Sequence, residues 1–358
     1  MKLFTVGPTQ MYDSTLEVRA KSIPYFRTEE FSKLNHENVR MLKECLDAEE
    51  STELILLTAS GTGAMEAAVM NCLNENDKVL IIVGGTFGER FADICRIHKI
   101  PFDVVKLEEG ETLTKERLQP YHGQGYQALL VNLHETQTGQ LYDIELLDGF
   151  CKENEMYLMV DAISTFLCDP YSMRKYSIDV SILSSQKGLC LAPGLSMIAL
   201  SERMQKKVKK NMVRSLYFDF SDYMKNIKRG QTPFTPAVGI HYELHDRLEK
   251  ILERGVEVQV KEVEQRAFFF RERIKNLPVE IPTFPLSNAM TPVLFKDEIA
   301  EELVAFLKNE KGQMVNPTGG TLGKRGIRVS HIGDLRIEDY EELVRNIEEF
   351  LQQQKLTK

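Results

Sequence analysis

Between residues 53 and 200 the chain alternates wholly apolar runs with stretches of helical period, and no other feature limits its fold so tightly. "ELILLTA" (53–59) opens the series. A run that is apolar at every position suits a strand covered on both faces, as in a parallel sheet clad by helices. The next stretch, "SGTGAMEAAVMNCLNENDK", sets Met65, Ala68, Val69, Cys72 and Leu73 at helical spacing. "KVLIIVGG" and "PFDVVKL" read as strands, with the helical "TFGERFADICRIHKI" between them. "ALLVNLH", the helix "DIELLDGFCKENE", "YLMVDAI" and "DVSILSS" continue the pattern. "GLSMIAL" follows too closely for a helical crossover, so this seventh strand is expected to return antiparallel. The expected fold is α/β, with a mostly parallel seven-stranded sheet.

From about Pro236 the character changes. "PAVGIHYELHDRLEKILERGVEVQVKEVEQRAFFFRERIKNL" reads as one or two long helices. "MTPVLF", "GIRVSH" and a closing helix from "RIEDYEELVRNIEEFLQQQ" suggest a smaller α+β domain. The expected division is an N-terminal arm (1–20), a large domain (21–254) and a small C-terminal domain (255–358), although a long helix can cross Gly255. A net charge of −8 argues against a nucleic-acid surface, and Lys206-Lys207-Val208-Lys209-Lys210 reads as a solvated helix face. The six cysteines form no Cys-x-x-Cys pair, which fits buried thiols in a reducing cytosol. "MKLFTVGPTQ" lacks the apolar core of a signal peptide, and no apolar stretch is long enough to span a bilayer. The expectation is a cytoplasmic protein with neither membrane nor nucleic acid as partner.

In open α/β sheets, ligands bind beyond the carboxyl ends of the strands. Those ends carry Ser60-Gly61-Thr62-Gly63, Gly84-Gly85-Thr86-Phe87-Gly88, His134-Glu135-Thr136, Asp161, and Ser184-Ser185-Gln186-Lys187. Ser60 to Thr62 open a helix after a strand, where free N–H groups and the helix dipole make an anion cradle. A plain N-cap explains the same residues. A dinucleotide fingerprint fails at its third glycine, and the nearest later acid, Asp77, precedes the second strand. Asp161, at the end of an apolar strand, must be paired or must work; an N-cap is its bland reading. Phe87, in a loop between glycines, reads alone as packing, and Lys187 alone as solvated. Jointly the four features match the needs of pyridoxal phosphate. It requires a lysine, an acid facing its pyridinium nitrogen, donors for its phosphate and a flat neighbour for its ring.

With "SGTGAMEAA", "GGTFGER", "HETQTG", "VDAIS", "SSQKGLCLAPG", "TPFTPAV" and "GIRVSHIGD" in this order, the chain resembles the class V aminotransferases. The resemblance runs from "VGPT" to "SHIGD" and is nearest to the alanine–glyoxylate and serine–pyruvate branch. It implies the fold-type I architecture of pyridoxal-phosphate enzymes and a homodimer with shared active sites. It makes Lys187 the Schiff-base lysine and Asp161 the partner of the ring nitrogen. Phe87 stacks on the ring, Ile163 packs on its other face, and Thr136 meets the 3-oxygen region. Ser60, Gly61, Thr62, Gln186 and Ser184 or Ser185 hold the phosphate. Thr235 reaches the neighbouring subunit's phosphate. Arg328 clamps the substrate carboxylate. Gly7 lines the substrate pocket, and Arg27 either enters the partner's pocket or forms a surface salt bridge. Some relatives carry a tyrosine where this chain has Thr232, so that phosphate contact has a shorter reach here.

The implied activity moves an amino group from a small amino acid, alanine or serine, to a small 2-oxo acid, glyoxylate or pyruvate, by a ping-pong mechanism. The alternative is a 2-aminoethylphosphonate–pyruvate aminotransferase. A cysteine desulfurase needs a late reactive cysteine, and "NPTGGTLGKRG" has none. A silent module of the same fold would not need Lys187 and Arg328, and a nicotinamide oxidoreductase would bind a dinucleotide instead. His241 and His245 have metal-ligand spacing, but "HYELH" lacks the glutamate of a zinc protease, and no metal is expected. His134 and His331 lie near the candidate loops.

Overall fold

A computed structural model describes residues 1–108 and 110–356. The seven apolar runs become β1 (Glu53–Leu57), β2 (Val79–Val83), β3 (Phe102–Lys106), β4 (Ala128–Asn132), β5 (Tyr157–Asp161), β6 (Val180–Ser184) and β7 (Ser196–Leu200). They form one sheet in the order β1-β7-β6-β5-β4-β2-β3. Pairs β2–β3, β2–β4, β4–β5 and β5–β6 are parallel. As expected, β7 is antiparallel, here to both neighbours, with Ser196 opposite Ser184 and Leu57. The β6–β7 connection closes through Ser185 N–H on Leu195 O, leaving no length for a helical return.

The uninterrupted apolarity has a simple cause. In β4, Leu129 and Val131 join the core on one face, while Ala128 and Leu130 join the core on the other. In β2, Leu80 and Ile82 take the first face and Val79, Ile81 and Val83 the second. Each such valine, leucine or isoleucine side chain stabilises the fold by roughly 1.5–3 kcal/mol. A polar residue at either parity would lie in a core, so alternation is absent.

Helices α1 (Gly61–Cys72), α2 (Thr86–Ile97) and α3 (Ile144–Glu153) follow β1, β2 and β4. Ser60 Oγ caps α1 by accepting from Gly63 N, and Asp143 caps α3 through the N–H groups of Glu145 and Leu146. The cap position of α2 is Gly85, which has no side chain. After Pro236 come two helices, α4 (Val238–Arg254) and α5 (Val256–Ile274), divided at Gly255. Its φ of +95° is a conformation glycine takes readily and other residues avoid.

Beyond α5, β8 (Val279–Glu280), β9 (Met290–Phe295), β10 (Asn316–Pro317) and β11 (Gly326–Ser330) form an antiparallel sheet in the order β8-β9-β11-β10. Helices α6 (Ala300–Glu310) and α7 (Ile337–Leu356) contribute Leu303, Tyr340 and Ile347 to a core shared with Phe270, Val293, Phe295 and Ile327. The chain's start is built into this unit: Lys2–Leu3 pairs in parallel with Gln313–Met314, and Phe4 lies in the same core. Helices at Asp13–Arg19 and Glu29–Cys45, which the pattern before residue 53 did not announce, lean on α4. Among the described residues no helix is long and apolar enough to cross a membrane.

Candidate active site

The ends of β1, β2, β4, β5 and β6 fall on one edge of the sheet, and a cavity of ≈ 260 Å³ opens there. Gly7, Ser60, Gly61, Thr62, Phe87, Thr136, Asp161, Ile163, Gln186 and Lys187 all line it. Residues as far apart in sequence as Gly7 and Lys187 meet there. A Cβ on Gly7 would lie only 2.7 to 2.8 Å from Lys187 Cε, Cδ and Nζ.

Asp161 is the last residue of β5 and is 1% exposed. Its Oδ1 accepts from Ile163 N (3.0 Å) and its Oδ2 from Asn132 Nδ2 (2.9 Å). Burial raises its pKa to about 6, against the opposing pull of those two donors, Lys187 and Arg90. Among the described residues no cation forms an ion pair with it. Lys187 lies just past β6, and its amine is depressed to about 8, chiefly by desolvation, with Asp161 opposing and Arg328 assisting. The two groups are thus poised toward each other at neutral pH.

The first turn of α1 leaves N–H groups without helical acceptors. At Gly61 a Cβ would come within 2.6 Å of Ile163 Cδ1, so glycine lets Ile163 close on the helix start. Thr62 Oγ1 accepts from Arg90 Nη1 at 3.1 Å, and the Arg90 guanidinium sits 4.6 Å from the Phe87 ring centroid. Phe87 is in the first turn of α2, as the helical period of "TFGERFADICRIHKI" implies, and not in a loop between glycines. The glycines around it permit close packing: a Cβ on Gly88 would meet Ile82 O at 2.6 Å.

Arg328, on β11, reaches across from the C-terminal unit. Its Nη1 donates to Thr136 O (2.9 Å) and its Nε to Pro317 O (3.0 Å). Burial lowers its pKa, with Glu135 opposing; an arginine nonetheless keeps its charge. Ser184 stands behind the cavity wall, its Oγ donating to Gln186 Oε1 (2.7 Å) and paired with Ser196 Oγ (3.2 Å). Thr232 is buried, with Oγ1 donating to its neighbour Phe234 O (2.7 Å). Thr235 is exposed. Arg27 donates to Thr232 O (2.9 Å), Pro233 O (3.1 Å) and Gln231 Oε1 (3.2 Å), so it braces the 231–233 segment of its own chain. His241 Nδ1 faces Asn35 Oδ1 (2.7 Å), His245 Nδ1 faces Asn38 Oδ1 (3.1 Å), and His331 Nε2 faces Thr291 Oγ1 (2.8 Å).

The cavity also takes in Arg90, Asn132 and Ser164, which the sequence reading did not single out. Asn132 carried the signal that found Asp161, a polar residue closing an apolar strand, and the register places the two side by side. Arg90 follows Phe87 by three positions, one helical turn, which becomes meaningful only once Phe87 is known to be helical.

A sequence profile described as aminotransferase class-V matches residues 18–320. The chain belongs to the class-V aminotransferases. It is 33% identical to an uncharacterized aminotransferase of Methanocaldococcus jannaschii, over 92% of this chain and 87% of that protein. It is 30% identical to a serine–glyoxylate aminotransferase of Methylorubrum extorquens, over 71% of this chain and 66% of that one. Its fold superposes on the crystal structure of an alanine–glyoxylate aminotransferase from Nostoc sp. with a TM-score of 0.92, at 24% identity, covering 98% and 94% of the two chains.

This class-V aminotransferase is an enzyme dependent on pyridoxal phosphate. The residues present fit that cofactor. Asp161 is a buried carboxylate with a raised pKa, and a protonated ring nitrogen beside it would restore its charge. Among the described residues, buried Asn132 Oδ1 and His134 Nε2 have no partner. His134 is held neutral, its pKa lowered to about 3 by burial. The helix start at Gly61 suits a phosphate.

Proposed function

We propose that this enzyme transfers the amino group of a small amino acid, alanine or serine, to a small 2-oxo acid, glyoxylate or pyruvate, in two successive half-reactions. The observation that carries the reading is the pair Lys187 and Asp161, on adjacent strand ends in one cavity, with an amine lowered to about 8 and a carboxyl raised to about 6. The size of the cavity, ≈ 260 Å³, which must hold cofactor and substrate together, favours small substrates. So does the likeness to a protein named serine–glyoxylate aminotransferase.

Bound pyridoxal phosphate supplies an electrophilic carbonyl carbon and an electron-withdrawing ring. Asp161 would hold the ring nitrogen protonated. Ser60, the N–H groups of Gly61 and Thr62, and Gln186 would hold the phosphate, and Phe87, Ile163 and Thr136, which line the same cavity, would hold the ring. Lys187 Nζ would hold the cofactor between turnovers and, as a neutral amine, would take the proton from the substrate Cα. Arg328 is oriented beforehand by Thr136 O and Pro317 O, and its remaining N–H groups grip the substrate carboxylate. Gly7 leaves room for the substrate beside Lys187. The exposed Thr235 is suited to a phosphate in a second subunit, so a homodimer with shared sites is part of the reading.

A donor-by-acceptor screen tests this. Alanine or serine should bleach the protein-bound chromophore, and glyoxylate or pyruvate should restore it. Failure of both alanine and serine, whether or not aspartate or 2-aminoethylphosphonate in the same panel reacts, would overturn the reading.

A further inference from the structure

Helix α2 presents Phe87 to the cavity, yet its cap residue has no side chain to receive the N–H groups of its first turn. Those groups need acceptors. They find them in the segment after β4. Glu135 Oε2 accepts from Phe87 N at 3.2 Å, and Gln137 Oε1 accepts from Thr86 N at 3.1 Å. Glu135 Oε1 in turn accepts from Gln137 N at 3.1 Å, so one carboxylate joins both. Glu135 is 1% exposed. Burial pushes its carboxyl up, and the backbone N–H groups of Gln137, Phe87 and Gly88 hold it down.

Gly85 gives independent support. Its backbone is extended, with φ 172°, which any residue adopts. Space, not conformation, requires glycine there: a Cβ would lie 2.6 Å from Glu135 Cγ and 2.7 Å from Oε2. The missing cap side chain is therefore the seat of the carboxylate. The same segment holds Thr136, whose carbonyl accepts from Arg328.

We infer that Glu135 is a positioning residue that caps α2 from outside, fixing Phe87 against the cofactor ring and tying that wall to the loop that orients Arg328. The inference rests on the cofactor placement proposed above. It goes further in assigning a buried carboxylate that touches neither cofactor nor substrate. A carboxylate at a helix N-terminus is favoured by the dipole as well as by the hydrogen bonds.

The test uses the holoenzyme and three variants: Glu135→Ala, Glu135→Gln, and Glu135→Ala combined with Gly85→Ser. Removing the carboxylate clears the space a serine needs, and serine is a strong N-cap. In Glu135→Ala the amides of Phe87 and Gly88 should exchange hydrogen faster. The dissociation constant for pyridoxal phosphate should rise roughly tenfold, equivalent to about 1.4 kcal/mol. The visible circular dichroism of the bound cofactor should weaken. The added serine should reverse all three, and Glu135→Gln, which keeps one acceptor oxygen and the volume, should fall between. Unchanged exchange at Phe87 in Glu135→Ala and Glu135→Gln would overturn the cap. Faster exchange with cofactor affinity and dichroism unaltered would overturn its link to the site. If adding pyridoxal phosphate to the wild-type apoprotein gives Phe87 no protection, the cofactor placement itself fails, a result separable from both.

Discussion

Gly61→Ala separates fold stability from cofactor binding. At most helix starts this change is mildly stabilising, because alanine narrows the unfolded ensemble by about 0.4–1 kcal/mol where the backbone permits it. At Gly61 the new Cβ would meet Ile163 Cδ1 at 2.6 Å, whereas ordinary contacts lie at 3.4–4 Å. The next atoms, Ile163 Cγ1 and Ser184 Cβ, are both at 3.6 Å and do not object. Ile163 must therefore retreat by about 1 Å or change rotamer, and such overpacking costs typically 1–3 kcal/mol. Ile163 lines the cavity, so the cost falls on the ring's binding surface. With about 1.4 kcal/mol per factor of ten, the dissociation constant for pyridoxal phosphate should rise roughly five- to hundredfold. Titrating apoprotein with cofactor by absorbance gives that constant, and thermal unfolding of the apoprotein gives stability. The expected result is weaker binding with a melting temperature within a few degrees of wild type. Binding within twofold of wild type would refute the reasoning, since it would mean that the ring does not lie against Ile163.

Three further outcomes are expected. Because burial lowers the Lys187 pKa to about 8, its amine is protonated below that pH and neutral above it, so the rate at which apoprotein captures pyridoxal phosphate should rise through pH 8 and level off near pH 9.5. By linkage, the native apoprotein binds fewer protons than the unfolded chain between about 8 and the ordinary lysine value of 10.5, so this residue's contribution to stability rises with pH across that window and is lost as pH falls through 8, which pH-dependent unfolding can check. Arg328→Lys cannot keep both carbonyl contacts and a two-pronged carboxylate grip, so KM for donor and acceptor should rise about ten- to hundredfold while cofactor affinity holds. Thr232→Val should lower stability by about 0.5–1.5 kcal/mol through loss of the bond to Phe234 O, measured by denaturant unfolding, and leave cofactor affinity within twofold.

The sheet was legible because a strand buried on both faces must be apolar at every position, and seven such runs admitted few other arrangements. The antiparallel β7 followed from chain length alone, since too few residues join it to β6 for a crossover. Lys187, Asp161 and Ser60 to Thr62 were legible for a related reason: polar residues that close apolar strands stand at the sheet edge where ligands bind. Side-chain partnerships were another matter. Nothing in "TPFTPAV" says that the Thr232 hydroxyl turns to its own backbone, or that Arg27, two hundred residues earlier, grips that segment.

The sequence by itself therefore determined the layer architecture, because that depends on periodicity, and the order of its motifs pointed to the family and to the candidate chemical groups. Only the tertiary structure decided how those groups are aimed. Phe87 reads as a loop residue until Glu135, 48 positions later, is seen to receive its N–H. The resemblance puts Gly7 in the substrate pocket, but only the structure shows that its missing Cβ is the space Lys187 needs. Arg328 was named by the resemblance, but nothing in the sequence says that β11 brings its guanidinium to the carbonyl of Thr136. Such contacts join segments distant in sequence, and their energies depend on distances of a few tenths of an ångström that no local pattern encodes.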